Sequence, residues 1–189
     1  MDYTYYVSLF YSYMAVLANI LVVLLIIAFI AKKYVKNDAL NKILNLINGK
    51  VVLWGFIISL LAVLGSLYYS EIAHYNPCKL CWFQRIFMYP LPFIFGVALI
   101  KKSKEILPYA LTLSVIGGLI AAYHYFLQVQ SILFPNVEII TPCSVVGYAP
   151  SCAEYFTLQL GYVTIPMMSF SAFALMTVIL AYSMIKKKG

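Results

Sequence analysis

The sequence predicts an all-α, polytopic membrane helix bundle, and three observations carry that prediction. Of the 189 residues, 64% are hydrophobic and only 10% charged, against a soluble-domain norm of roughly 45–50% apolar. Mean hydropathy is +0.92. Five apolar runs, residues 3–31, 51–70, 82–100, 107–127 and 160–185, approach the about 20 residues that a helix rising ~1.5 Å per residue needs to cross a ~30 Å hydrocarbon core. The loops are too short for a second soluble domain. The expected division is an extra N-terminal transmembrane helix with its loop over residues 1–50, followed by a four-helix unit over 51–189.

The net charge of +7 does not point to nucleic acid, because its distribution follows the spans. Lys32, Lys33, Lys36, Lys42 and Lys50 lie in the first loop, Lys101, Lys102 and Lys104 in the third, and Lys186, Lys187 and Lys188 at the C-terminus. If the spans alternate, all of these share one side. The positive-inside rule makes that side cytoplasmic, with the N-terminus outside. Every cysteine, Cys78, Cys81, Cys143 and Cys152, then falls on the extracytoplasmic side, where paired cysteines are normally disulfides.

The first span has no basic segment before it and no small-residue cleavage site after a short apolar core, so it reads as a retained helix. Its one central polar residue is Asn19, and it is expected to be an anchor or peripheral packing helix without chemistry. In the loop that follows, Leu40, Ile43, Leu44 and Ile47 recur at helical spacing among lysines, as in a helix lying on the membrane surface. The second span carries Gly65 and Ser66, small residues suited to close helix contact. Tyr68, Tyr69 and Tyr75 at its outer end are expected in an interfacial aromatic belt, with Glu71 and His74 as wet interfacial groups.

The third span opens with NPCKLCWFQRIFMYP, residues 76–90. Asn76 and Pro77 suit an N-cap and first helical position, which puts Cys78 and Cys81 in the opening turns. A helix N-terminus and a nearby Arg both favour a thiolate. Only 15 residues separate Arg85 from Lys101, about 22 Å of helix, so Arg85 belongs just inside the outer membrane boundary. A cation at that depth binds something or snorkels to the headgroups. Pro90 and Pro92 are expected to kink the helix below it.

In the fourth span His124, flanked by Tyr123 and Tyr125, reaches the depth of Arg85. The outer loop continues with QVQSILFP, read as a short interfacial helix, and Cys143 and Cys152 then flank Gly147 and Pro150, residues that favour a turn. Bridged in isolation, that ring is an ordinary structural disulfide worth roughly 2.5–3 kcal/mol. The last span carries Pro166, Met167 and Met168, read as packing beside a kink.

Two cysteine pairs on one membrane face permit a relay by thiol–disulfide exchange, which needs a thiolate, an accessible leaving sulfur and pairs able to approach each other. No iron–sulfur, haem, flavin or nicotinamide motif is evident, so a lipid-soluble quinone is the natural electron acceptor, with Arg85 and His124 near its carbonyl. Two other classes fit less well. A copper- or zinc-handling membrane protein suffers from the eight-residue gap between Cys143 and Cys152 with no accompanying His. A scaffold with two inert disulfides leaves Arg85 unexplained.

PCKLCWFQRIFMYP with GSLYYSE upstream, YHYFLQ at the end of the next span and TIPMMS in the last resembles the DsbB family of quinone-linked thiol oxidases. The likeness is strongest to BdbC-type members from Gram-positive bacteria and covers about residues 50–185. In that family's setting a DsbA-to-DsbB-to-quinone route keeps the bacterial periplasm oxidising. The resemblance implies a bacterial cell-membrane thiol oxidoreductase using menaquinone or ubiquinone, with a DsbA- or BdbD-like thioredoxin-fold partner. It implies that Cys78 and Cys81 are the quinone-coupled pair with Cys81 next to the quinone, and that Arg85 binds the headgroup, assisted by Gln84 and His124. Cys143 then forms the mixed disulfide with the partner, and Cys152 attacks Cys78. The family commonly has four spans, so the first helix is additional, and the short distal spacing matches the BdbC-type arrangement. Vitamin K epoxide reductases place their loop cysteines before the Cys-x-x-Cys, and the order here differs.

Overall fold

The computed structural model describes residues 3–34, 38–134 and 150–188. Lys36, Cys143 and the turn expected at Gly147 lie outside the described residues. The described elements are α1 (Tyr3–Tyr34), α2 (Asp38–Gly49), α3 (Val51–Leu67), a π-helical turn (Tyr68–Ile72), α4 (Lys79–Met88), α5 (Pro90–Lys101), α6 (Leu107–Leu133) and α7 (Ile165–Lys188). They supply five stretches long and apolar enough to span a membrane. Among the described residues there is no strand, only an isolated antiparallel bridge between Gln159 and Val163.

Helix α7 is the central post. It packs most extensively on α6, then on α1 and α3, while α4 lies on α6 and α5 on α3. In lipid, helices gain little from apolar burial alone and associate by close van der Waals fit over small residues. Two contacts show this fit. The fully buried ring of Phe173 lies against Gly117, and that of Phe95 against Gly55, so closely that an added Cβ would stand 2.4 and 2.5 Å from the respective rings. Polar bonds tie the lysine-bearing end. Lys104 Nζ donates to the Asn48 carbonyl at 3.1 Å, Lys186 Nζ to Asn45 Oδ1, and Lys32 Nζ to Tyr182 Oη at 3.3 Å. In α2, of the apolar residues expected on one face, Leu44 is buried against the bundle and Ile43 is exposed.

Several boundaries differ from the sequence expectation. Cys78 itself is the N-cap of α4, two residues later than expected, because its own sulfur accepts the Cys81 amide. Helix α6 runs unbroken to Leu133 and absorbs the segment read as a separate interfacial helix. Helix α7 begins at Ile165, after a three-residue hairpin loop closed by the Gln159–Val163 bridge in which Leu160 and Gly161 both take positive φ, 54° and 78°. Pro166 is therefore a helix-start residue and makes no kink. The third span does break where prolines predicted it, at Tyr89 between α4 and α5, with Pro90 first in the new helix.

Tyr69 is buried instead of joining an aromatic belt, while α1 is largely exposed, as expected of a peripheral packing helix, but turns a small polar strip inward. Ser8, Ser12 and Ala15 are buried in the bundle, and Tyr69 Oη donates to Ser8 Oγ at 3.2 Å.

Gly117→Ala should lower the unfolding midpoint in detergent, with an overpacking cost of about 1–3 kcal/mol. Adding Phe173→Leu should recover part of that loss, since the two sites share one contact. An unchanged midpoint for Gly117→Ala would contradict close packing of α6 on α7.

Candidate functional site

The site is assembled where the chain enters α4. Cys78 is extended, with φ −70° and ψ 172°, and its Sγ accepts from the Cys81 amide at 3.4 Å, the position a Ser or Asp oxygen holds at other helix N-termini. Cys78 and Cys81 are free thiols with sulfurs 2.9 Å apart, and Cys78 is only 4% exposed. One helical turn along α4, Gln84 and Arg85 follow Cys81 and diverge to two sides.

On the first side, Gln84 Nε2 lies 2.8 Å from His124 Nδ1, and His124 Nε2 lies 3.5 Å from Cys78 Sγ. An amide nitrogen only donates, so Nδ1 is the acceptor and the ring proton sits on Nε2, directed at the Cys78 sulfur. Cys152 is fully buried here and disulfide-bonded. The Cys78 and Cys152 sulfurs and a His124 ring nitrogen all lie within 4.8 Å of one another. Gln128, one turn beyond His124, donates to the Glu154 carbonyl at 2.8 Å and fixes the Cys152 segment against α6. Tyr75 stacks on Phe156 with centroids 4.9 Å apart, tying the same segment to the approach to α4.

The Cys78 thiol is pulled down to about 4. The largest cause is the hydrogen bond from Cys81. His124 adds a hydrogen bond and an electrostatic attraction, and the Cys81 amide contributes further; burial opposes all three. Of the two sulfurs, Cys78 is the one whose surroundings favour the thiolate.

On the second side lies a cavity of about 200 Å³ bordered by Cys81, Gln84 and Arg85 from α4, by Ser66 and Tyr69 from the second span, and by residues of α1 and α7. Cys78 and His124 are not on its wall. Arg85 is half-buried and held inward. Its Nε donates to Ser66 Oγ and its Nη2 to the Ser66 carbonyl, both at 3.1 Å, while the guanidinium stacks over Trp82 at 5.1 Å and Tyr89 at 5.8 Å. It does not snorkel away from the bundle. The adjoining π-helical turn at Tyr68–Ile72 is the kind of ladder defect that recurs at functional sites.

The structure thus brings together Cys78, Cys81, Gln84, Arg85, His124 and Cys152, while Cys143 lies outside the described residues. His124 lies on the Cys78 side of the pair, with Gln84 and Cys78 at its two ring nitrogens. Met168, read as packing, lies on the cavity wall with its sulfur 3.8 Å from Tyr69 Oη. The objection that no His accompanies the distal pair also fails, since His124 does. In this oxidation state, however, Cys152 is committed to a disulfide, which leaves two ligands where zinc sites use three or four. Sequence reasoning missed Gln128, whose signal was its i+4 spacing from His124, and Ser66, read only as a small residue.

The cavity is predominantly apolar, carries one cationic donor, Arg85, and is smaller than the about 300–1,000 Å³ of drug-sized sites, a volume and lining that suit a flat ring bearing a hydrogen-bond acceptor.

Comparison with known proteins agrees with the geometry. The family described as "Disulfide bond formation protein DsbB" matches residues 48–183. The chain is 42% identical over 120 residues to the SPbeta prophage-derived disulfide bond formation protein B of Bacillus subtilis, covering 64% of this chain and 76% of that one. It is 38% identical over 123 residues to disulfide bond formation protein C of the same organism, covering 65% and 84%. It is 44% identical over 119 residues to a probable disulfide formation protein of Oceanobacillus iheyensis, covering 63% and 78%. No solved structure matches.

Titrating the ultraviolet absorbance of the Cys78 thiolate, with Cys78→Ser as blank, should give a midpoint near 4. The signal should be complete above that pH and lost as pH falls through it. His124→Ala should move the midpoint upward. A midpoint at the ordinary cysteine value of about 8.5 would contradict the site's electrostatics.

Proposed function

We propose, since the chain belongs to the DsbB family of disulfide bond formation proteins and is a multi-pass membrane protein, that it reoxidises an extracytoplasmic thioredoxin-like, DsbA-like protein and passes the electrons to a membrane quinone. The observation that carries this reading is the two-sided Cys78–Cys81 pair. Cys78 faces a disulfide-bonded Cys152, and Cys81 faces an apolar cavity that contains Arg85.

The exchange sequence starts with Cys78–Cys81 oxidised and the distal disulfide taken as Cys143–Cys152. A partner thiolate attacks Cys143 and expels Cys152 as thiolate. Cys152 attacks Cys78, forming Cys78–Cys152 and releasing Cys81 as thiolate beside Arg85. The partner's second thiol attacks its mixed disulfide and leaves oxidised, freeing Cys143. Cys143 then closes on Cys152 and expels Cys78. The result is a reduced Cys78–Cys81 pair and a restored distal disulfide, the oxidation state described above. The partner loses two electrons and two protons, and the pair gains them.

The donors around Cys78 make its sulfur a good leaving group, since lower-pKa thiols leave faster. Gln84 acts through His124 by holding the imidazole with its proton toward that sulfur. Arg85 supplies donors to a carbonyl oxygen at the cavity and a positive charge near the Cys81 thiolate. A 1,4-quinone bound there supplies a two-electron, two-proton sink. The lysine distribution supports a cytoplasmic C-terminus and an extracytoplasmic site in a bacterial cell membrane.

Purified protein supplied with a quinone should oxidise a reduced thioredoxin-like dithiol protein, and Cys81→Ser should abolish turnover. Arg85→Ala should raise the apparent KM for quinone about 10- to 100-fold, the loss expected for a hydrogen bond to a charged group. Normal turnover by Cys81→Ser would refute the relay.

A further inference from the structure

The first helix lies outside the family match, which begins at residue 48. Its two halves differ. Toward its C-terminal end Val23, Leu24, Ile26, Ile27 and Ile30 are exposed in the bare chain, as expected of a lipid-facing anchor. Its N-terminal half also exposes large side chains, among them Tyr6, Tyr13 and Leu17, but adds a polar inner stripe. Ser8 and Ser12 are fully buried, and Tyr11 Oη donates to the Leu61 carbonyl of α3 at 3.3 Å. The Tyr11 ring covers Gly65 so closely that a Cβ there would stand 2.7 Å from it. Tyr69, itself on the cavity wall, bonds back to Ser8. An anchor needs none of these contacts.

The stripe ends at the cavity beside Cys81. Phe10, Tyr11, Met14, Ala15 and Ala18 of α1 border the same space as Cys81, Gln84 and Arg85. The two alanines leave volume that a larger side chain would fill, and Phe10 and Met14 are partly exposed at the rim.

We infer that α1 forms a wall of the acceptor cavity in this chain and sets affinity and selectivity for a prenylated 1,4-quinone. Tyr11, Ala15 and Ala18 meet the ring, and Phe10 and Met14 meet the start of its apolar tail. This rests on the quinone reading above and adds a binding element from outside the family match. Ala18 and Tyr11 are specificity-determining residues; the sulfur chemistry stays with the cysteines.

The test uses the full chain in nanodiscs, with a short-tailed 1,4-naphthoquinone as probe and its azido derivative as photolabel. Binding is read by quenching of tryptophan fluorescence, and attachment sites by mass spectrometry. Ala18→Leu should weaken binding about tenfold or more, the effect of overfilling a fitted site, while the exposed control Leu17→Ala leaves it unchanged. In the wild type, the photolabel should attach within residues 10–18 as well as within 81–89, a result that stands even if Ala18→Leu fails to fold. Unchanged binding by folded Ala18→Leu, or labelling confined to 81–89 while Arg85→Ala weakens binding, would overturn the role of α1 and leave the quinone reading intact. A wild type that neither quenches nor labels would overturn both.

Discussion

One backbone amide organises the site. By donating to Cys78 Sγ, the Cys81 N–H makes Cys78 the N-cap of α4 and holds it in extended conformation while Cys81 lies in the first helical turn. The two thiols of one Cys-x-x-Cys therefore face different surroundings. Cys78 turns toward α6 and the Cys152 segment, while Cys81 borders that side and also the cavity between α1, α3 and α7, where Cys78 does not reach. Had both thiols lain on one face of a regular helix turn, the proposed exchange partner and the proposed electron acceptor would compete for the same approach.

Gln84 is buried and bonded to His124, and Arg85 is drawn to Ser66, so neighbouring α4 residues support opposite sides of the site. Buried polar groups in a membrane protein are costly unless satisfied, and here their partners lie on the helices that the small-residue contacts bring together. Close packing of Phe173 on Gly117 fixes α6 against α7, and α6 carries both His124 and Gln128. The fit between helices thus reaches the sulfur chemistry through Gln128, which positions the chain around Cys152.

Much of this was legible in the sequence. Hydropathy gave the five spans, Pro90 gave the break in the third, and the spacing of Cys81 and Arg85 put both near one membrane depth. What was not legible depended on which way side chains turn. An amphipathic stripe in α1 is invisible to composition, because Ser8, Ser12 and Ala15 are small enough to pass for part of an anchor. His124 shared a depth with Arg85, but depth does not specify azimuth, and the helix rotation that Gln84 stabilises sends the two residues to opposite sides. Leu160 in left-handed conformation likewise carries no compositional warning, so the start of α7 could not be read from hydropathy.

The central claim is that Cys78 and Cys152 are the sulfurs through which the two pairs communicate. A chain carrying Cys81→Ser and Cys143→Ser retains only these two, and mild oxidation followed by peptide mapping under non-reducing conditions reads their bond directly. A Cys78–Cys152 disulfide should form almost completely in the folded protein and be lost on denaturation before oxidation. Two free thiols in the folded, oxidant-treated protein would contradict it.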